Sequence, residues 1–150
     1  MKLSPHFTLD EFTFSQTAAR HDINNNPTGP VMDNLRRLAT FMESVRVTLG
    51  NNPIHISSGY RSPPLNARVG GAYNSAHMVG RAVDFVCPGY GTPLEVCQRL
   101  SDAGVPFDKL ILEAGRWVHL QIAEWDAKPR RQVLNAKFDR RLARYNEGLL

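Results

Sequence analysis

Leu110-Ile-Leu-Glu-Ala-Gly-Arg-Trp-Val-His-Leu-Gln-Ile122 is the stretch on which the fold turns. Two short apolar runs, Leu110 to Glu113 and Trp117 to Ile122, flank Ala114-Gly115-Arg116, a pattern that predicts a tight antiparallel hairpin. Its register decides what the hairpin displays, because side chains alternate between the two faces of a strand. With Ala114-Gly115 alone as the loop, Glu113 pairs with Arg116 and lies on the face opposite His119. With a three-residue loop, Glu113 pairs with Trp117 and shares a face with His119. The second register is expected.

Working outward, Ile54 to Ser58 and Ala82 to Val86 read as two further strands, the second stopped by Pro88-Gly89. Leu35, Leu38, Phe41, Met42, Val45 and Leu49 recur at three and four, which predicts a long amphipathic helix ending near Gly50. Thr8-Leu-Asp-Glu11 has the capping-box pattern, and Ser15 can start a second short helix through Arg20. Leu65 to Val69 suits a short helix, and Pro93 to Ala103 a longer one capped by Thr92. The expected architecture is α+β, a small and mostly antiparallel sheet with helices packed on one side.

At 150 residues the chain is expected to be a single domain and a monomer. No run reaches the roughly 20 apolar residues of a membrane span, so no membrane insertion is expected. The opening Met1-Lys-Leu-Ser-Pro-His-Phe-Thr8 lacks the apolar core of a signal peptide, which predicts synthesis in the cytoplasm. A disulfide is open to Cys87 and Cys97, but two buried thiols in a reducing cytosol is the plainer reading. The net charge of +4 sits wholly in residues 126–150, with seven basic residues against three acidic. Such a tail can meet a polyanion, yet Leu134, Phe138, Leu142 and Tyr145 recur at helical spacing. We therefore expect a basic C-terminal helical extension with one side docked on the body. Nucleic acid is not an expected partner, because only Phe138 and Tyr145 could offer bases a platform there.

His77 and Asp84 stand in Ser75-Ala-His-Met-Val-Gly-Arg-Ala-Val-Asp84, and His119 in Trp117-Val-His-Leu120. Two imidazoles and one carboxylate are a donor set that holds zinc and leaves a fourth position for water. Small residues at Gly80 and Ala82 let the chain fold tightly between the first two. Zn2+ bound there would lower the pKa of a bound water to about 7, which makes the site a candidate hydrolase.

The ordered pattern Ser75-x-His77-x-x-Gly80-x-Ala82-x-Asp84, then Trp117-x-His119, resembles the zinc D-alanyl-D-alanine carboxypeptidase family, with its Hedgehog/DD-peptidase-like fold. That family includes vancomycin-resistance dipeptidases and phage endolysins that cut L-alanyl-D-glutamate bonds. Ile56-Ser-Ser-Gly-Tyr-Arg-Ser62, Leu65-Asn66 and Gly70-Gly71 look like its substrate-side loop, and His6-Phe-Thr-Leu-Asp-Glu-Phe12 like the opening of a phage and bacterial branch. The resemblance runs from about Phe7 to Ile122. It implies zinc ligands at His77, Asp84 and His119, and a substrate-anchoring or oxyanion-stabilising role for Arg61. It also implies a supporting hydrogen bond from Ser75 and peptidoglycan stem peptides as substrate. Tyr60 and His55 could line the cleft, and Trp117 could wall it.

Family members often place an acid three residues before the last histidine ligand. Arg116 stands there, so Glu113 is the expected base, with Asp108 and Glu124 as fallbacks. The rival expectation is a non-catalytic wall-binding or virion structural module that keeps the fold. Without a signal peptide, a wall-cutting enzyme would act after release from the cell or as part of a virion.

Overall fold

The computed structural model describes residues 1–139 and 142–149. Lys2–Ser4 (β1) and Phe7–Thr8 (β2) make a small two-stranded sheet. Two short helices follow, Leu9–Thr13 (α1) and Gln16–Arg20 (α2), and then the long Gly29–Thr48 (α3). His55–Ser58 (β3), Pro63–Arg68 (α4), a 3-10 turn at Ala76–Val79, Ala82–Val86 (β4) and Pro93–Asp102 (α5) come next. Lys109–Glu113 (β5), Trp117–Gln121 (β6), Gln132–Asp139 (β7) and Leu142–Glu147 (β8) complete the chain. The main sheet has six strands in the order β3-β4-β6-β5-β7-β8, antiparallel except where β5 meets β7. The α+β expectation holds.

Local chemistry explains the helix starts. Thr8 and Glu11 form the reciprocal capping box, as do Thr92 and Glu95, while Ser15 caps the amide of Ala18. No described helix is long and apolar enough to cross a membrane.

The core lies on one face of the sheet. Leu35, Leu38, Met42 and Val45 of α3 and Val96 and Leu100 of α5 pack over Val83, Phe85, Leu110, Leu112, Val118 and Leu120. Those strand residues alternate with Asp84, Ile111 and His119, so the period of two sends the polar set to the opposite face. Burial of the apolar set thereby dictates where the polar set points. Cys87 and Cys97 are free and buried in this core, and burial pushes the Cys97 thiol up to about 12.

The expected helical extension at 126–150 is a β-hairpin, β7–β8, so that expectation is corrected. Leu134 and Phe138 are four apart, a spacing that suits a helical stripe and one strand face alike. What selects the strand is the open edge of β5, whose amides and carbonyls need partners. β7 supplies them in parallel register, from Lys109 opposite Gln132 to Glu113 opposite Ala136. Arg140 and Arg141 of the basic tail lie outside the described residues. Two other tail cations tie the hairpin to the body. Arg130 donates through Nε and Nη2 to both Asp108 carboxylate oxygens at 3.0 and 2.8 Å, and its amide donates as well. Arg131 donates to the carbonyls of Val105 and Ser101 and lies over the Phe107 ring.

The Arg130 hydrogen bonds hold the buried Asp108 carboxyl below the usual carboxylate range. Stability from a depressed carboxyl is fully present above its unfolded value and lost as pH falls through the folded one. Asp108→Asn is expected to lower stability by about 1–3 kcal/mol at pH 7. In thermal melts the difference from wild type should shrink below about pH 4; an equal loss at pH 7 and pH 3 would contradict the assignment.

Candidate metal centre

Sheet pairing builds half of the site. Asp84 on β4 lies directly opposite His119 on β6, and Asp84 Oδ1 is 3.0 Å from His119 Nδ1. The other half comes from the 3-10 turn carrying His77. Ser75 caps that turn by accepting the His77 amide, and Gly80 closes it at φ +77, a left-handed conformation that glycine adopts without penalty. The chain then enters β4 with His77 Nε2 at 3.3 Å from Asp84 Oδ2. All three donor atoms lie within 4.8 Å of one another, and the side chains are only 3%, 13% and 12% exposed for His77, Asp84 and His119.

Orientation of the rings fits a cation. His77 Nδ1 donates to the carbonyl of Gly59 at 2.6 Å, which leaves Nε2 turned toward Asp84. His119 Nε2 lies 3.3 Å from Gln121 Oε1, which leaves Nδ1 turned the same way. Each histidine so has one nitrogen held by a protein acceptor and the other free to ligate, the usual arrangement of metal-bound imidazoles. Zinc at about 2.0–2.2 Å from each donor needs donors roughly 3.3 Å apart, close to the 3.3 and 3.0 Å that separate His77 and His119 from the two Asp84 oxygens. Gly59 can serve only as glycine, because a Cβ there would meet the Phe12 carbonyl oxygen at 2.5 Å. The adjacent Tyr60 amide donates to that oxygen and locks the strand end against α1.

The electrostatics agree. Burial alone would raise the Asp84 carboxyl, but His77 and the hydrogen bonds from both imidazoles hold it well below the usual range. It is an anion in the fold. Burial lowers His77 toward the neutral, ligating form. Burial also opposes charge on His119, yet the Asp84 hydrogen bond outweighs it and raises its pKa, so the cluster favours positive charge between Asp84 and His119.

Some of the other expected residues adjoin this centre and others do not. Arg61 is half-buried and its Nη2 reaches Ser75 Oγ at 3.4 Å, so Ser75 supports both Arg61 and the His77 turn. Arg61 Nε is buried and has no hydrogen-bond partner among the described residues. Burial lowers the Arg61 pKa, and the charges of Asp84 and Glu113 counter it. A cleft of about 400 Å³ is lined by Phe14, Ser57, Ser58, Tyr60, Arg61 and Leu65; Arg61 links it to the centre, and none of His77, Asp84, His119 and Glu113 lines it. Tyr60 belongs to the core as well as to this wall. His55 is exposed and outside both cluster and cleft, while Trp117 stacks on Phe138.

The hairpin takes the three-residue loop, with Glu113 opposite Trp117 and Ile111 opposite His119. Glu113 therefore shares the face of the cluster. It is 8% exposed, and burial pushes its pKa up while the His119 charge opposes the rise. The two fallback acids are committed elsewhere. Asp108 is held by Arg130, and Glu124 is an exposed acid 3.9 Å from Arg81. Gln121 was not singled out by the sequence, although its place two residues after His119 on one strand face would have pointed to it.

The sequence model of the family described as Peptidase M15 matches residues 5–121. The chain belongs to the Peptidase M15 family. This Peptidase M15 chain is also similar to the zinc D-Ala-D-Ala carboxypeptidase of Streptomyces albus G, at 44% identity over 43 residues. Those residues are 29% of this chain and 17% of that protein.

Gln121→Leu should leave the fold intact and weaken metal affinity by about 10–100-fold, measured by competition with a chelator; an unchanged affinity would remove Gln121 from the site. Glu113 yields a second expectation in metal-free protein. A carboxyl whose folded pKa is raised costs stability above its ordinary value of about 4.3, increasingly so as pH climbs through the folded value. Glu113→Gln should accordingly melt higher than wild type at pH 8 and together with it near pH 3.

Proposed function

We propose that this chain is a zinc-dependent peptidase that hydrolyses peptidoglycan stem peptides or their cross-links, as an endopeptidase or a D,D-carboxypeptidase. The observation that carries the reading is the buried His77-Asp84-His119 convergence, with an outer acceptor on each imidazole, inside a match to the Peptidase M15 family. The Streptomyces relative, a zinc D-Ala-D-Ala carboxypeptidase by name, supports the choice of metal and substrate class.

His77 through Nε2, Asp84 through its carboxylate and His119 through Nδ1 would hold the metal. Bound zinc supplies Lewis acidity toward water and the scissile carbonyl. Glu113 takes the proton from the attacking water and delivers it to the leaving amine. Its burial favours both halves of that task by bringing its pKa nearer neutrality. Arg61 faces a buried anionic region and keeps an unpartnered Nε, which suits it to clamp a substrate carboxylate or the developing oxyanion. The proposed substrate lies in the cell wall, and the enzyme acts there.

Digestion of purified sacculi followed by mass spectrometry tests this directly, because new termini identify the bond cut. Wild type should release new amino groups, and His77→Ala should lose both metal and activity. Glu113→Gln should retain zinc while kcat falls by about 10²–10⁴-fold. Sedimentation with sacculi and no release of amino groups by zinc-loaded wild type would instead establish a wall-binding module.

A further inference from the structure

The site-bearing face does not end where the family match ends. Across it, Trp117, Glu113, Ala136 and Tyr145 follow one another in register on β6, β5, β7 and β8. Ala136 is wholly buried although its methyl faces the open side of the sheet. Something longer must close over it. Glu113 and Tyr145 flank it at about one strand spacing, roughly 4.8 Å, on either side. Their side chains can meet above the methyl from both ends. Tyr145 lies two strands from Glu113 on the same face, and its phenol, raised by burial and then by the charges of Glu113 and Asp84, remains a hydrogen-bond donor at neutral pH. Tyr145 is nevertheless 54% exposed, and Phe138 beside it 48% exposed with its ring stacked on Trp117 at 6.2 Å. An accessible donor and an aromatic wall thus adjoin the acid, on strands that the match to residues 5–121 does not include.

We propose that Tyr145 is a substrate-binding residue of this site, its hydroxyl donating to the peptide on the Glu113 side and its ring forming a wall with Phe138. The inference rests on the peptidase reading above and deepens it. In the strand order, Arg61 follows edge strand β3 and Tyr145 sits on the opposite edge strand β8, with the ligand-bearing β4 and β6 between them. A peptide crossing the centre is accordingly gripped on both sides of the scissile bond. The preferred substrate is one that continues well beyond that bond in both directions, rather than a dipeptide.

The test uses the shortest and the longest muropeptides that wild type cleaves, with Tyr145→Phe and Tyr145→Ala in the full chain. On the long substrate, Tyr145→Phe should lower kcat/KM about 10-fold and Tyr145→Ala further, mainly through KM. The short substrate should change less than about twofold, with zinc content and melting temperature unaltered for Tyr145→Phe. Calorimetry supplies a readout independent of turnover. The long muropeptide should bind Glu113→Gln about 10-fold more tightly than it binds Glu113→Gln/Tyr145→Phe. Wild-type kinetics and binding in the Tyr145 variants would overturn the proposal and leave the peptidase reading standing. Equal losses on short and long substrates, or lost zinc, would overturn it too by making Tyr145 merely structural. A wild-type protein that neither cuts nor binds any muropeptide would overturn the peptidase reading and this inference with it.

Discussion

Asp84 placed between two imidazoles is the interaction on which the rest of the molecule depends. A nearly buried carboxylate is costly unless it is paired and hydrogen-bonded. Here His77 and His119 each face one of its oxygens, at 3.3 and 3.0 Å. The fold supplies these partners in two ways. Sheet register sets His119 against Asp84, and a short turn ended by Gly80 swings His77 over the same carboxylate. The Gly59 carbonyl then fixes the His77 ring, and the close approach of Phe12 fixes Gly59. Parts of the chain far apart in sequence are therefore committed to a single point.

The sheet separates stability from chemistry. Its inner face is covered by α3 and α5 and carries the apolar half of every central strand. Its outer face carries Asp84, Glu113, Trp117 and His119. Because the alternation is strict, a one-residue slip of β6 would move His119 into the core and Leu120 to the site, which apolar burial forbids. Hydrophobic burial is in this sense what aims the donor residues. The C-terminal hairpin prolongs both faces. Its Val133 packs on the core, and its Tyr145 and Phe138 widen the outer surface beside Glu113.

Much of this was legible in the chain itself. The capping boxes at Thr8 and Thr92, the apolar stripe of α3 and the alternation of β4, β5 and β6 are local patterns with local causes. The Glu113 register could be chosen because a three-residue loop leaves it on the His119 face. The tail departs from its helical expectation for an equally physical reason. A spacing of four satisfies both helical and strand periods, and the open edge of β5 that decides between them is not visible in residues 126–150. The same holds for Arg130 and Arg131, whose partners Asp108, Val105 and Ser101 lie outside the tail.

Sequence by itself determined the α+β class, the central strands and their faces, the three converging donor residues and the face that Glu113 shares with His119. These follow from periodicity, capping and donor chemistry, which act over a few residues. Tertiary structure alone decided which imidazole nitrogen faces Asp84, that Gln121 and Gly59 orient the rings, and that the tail is a hairpin paired to β5. Such choices depend on contacts between segments distant along the chain, where burial and unpaired hydrogen-bonding groups outweigh local preference.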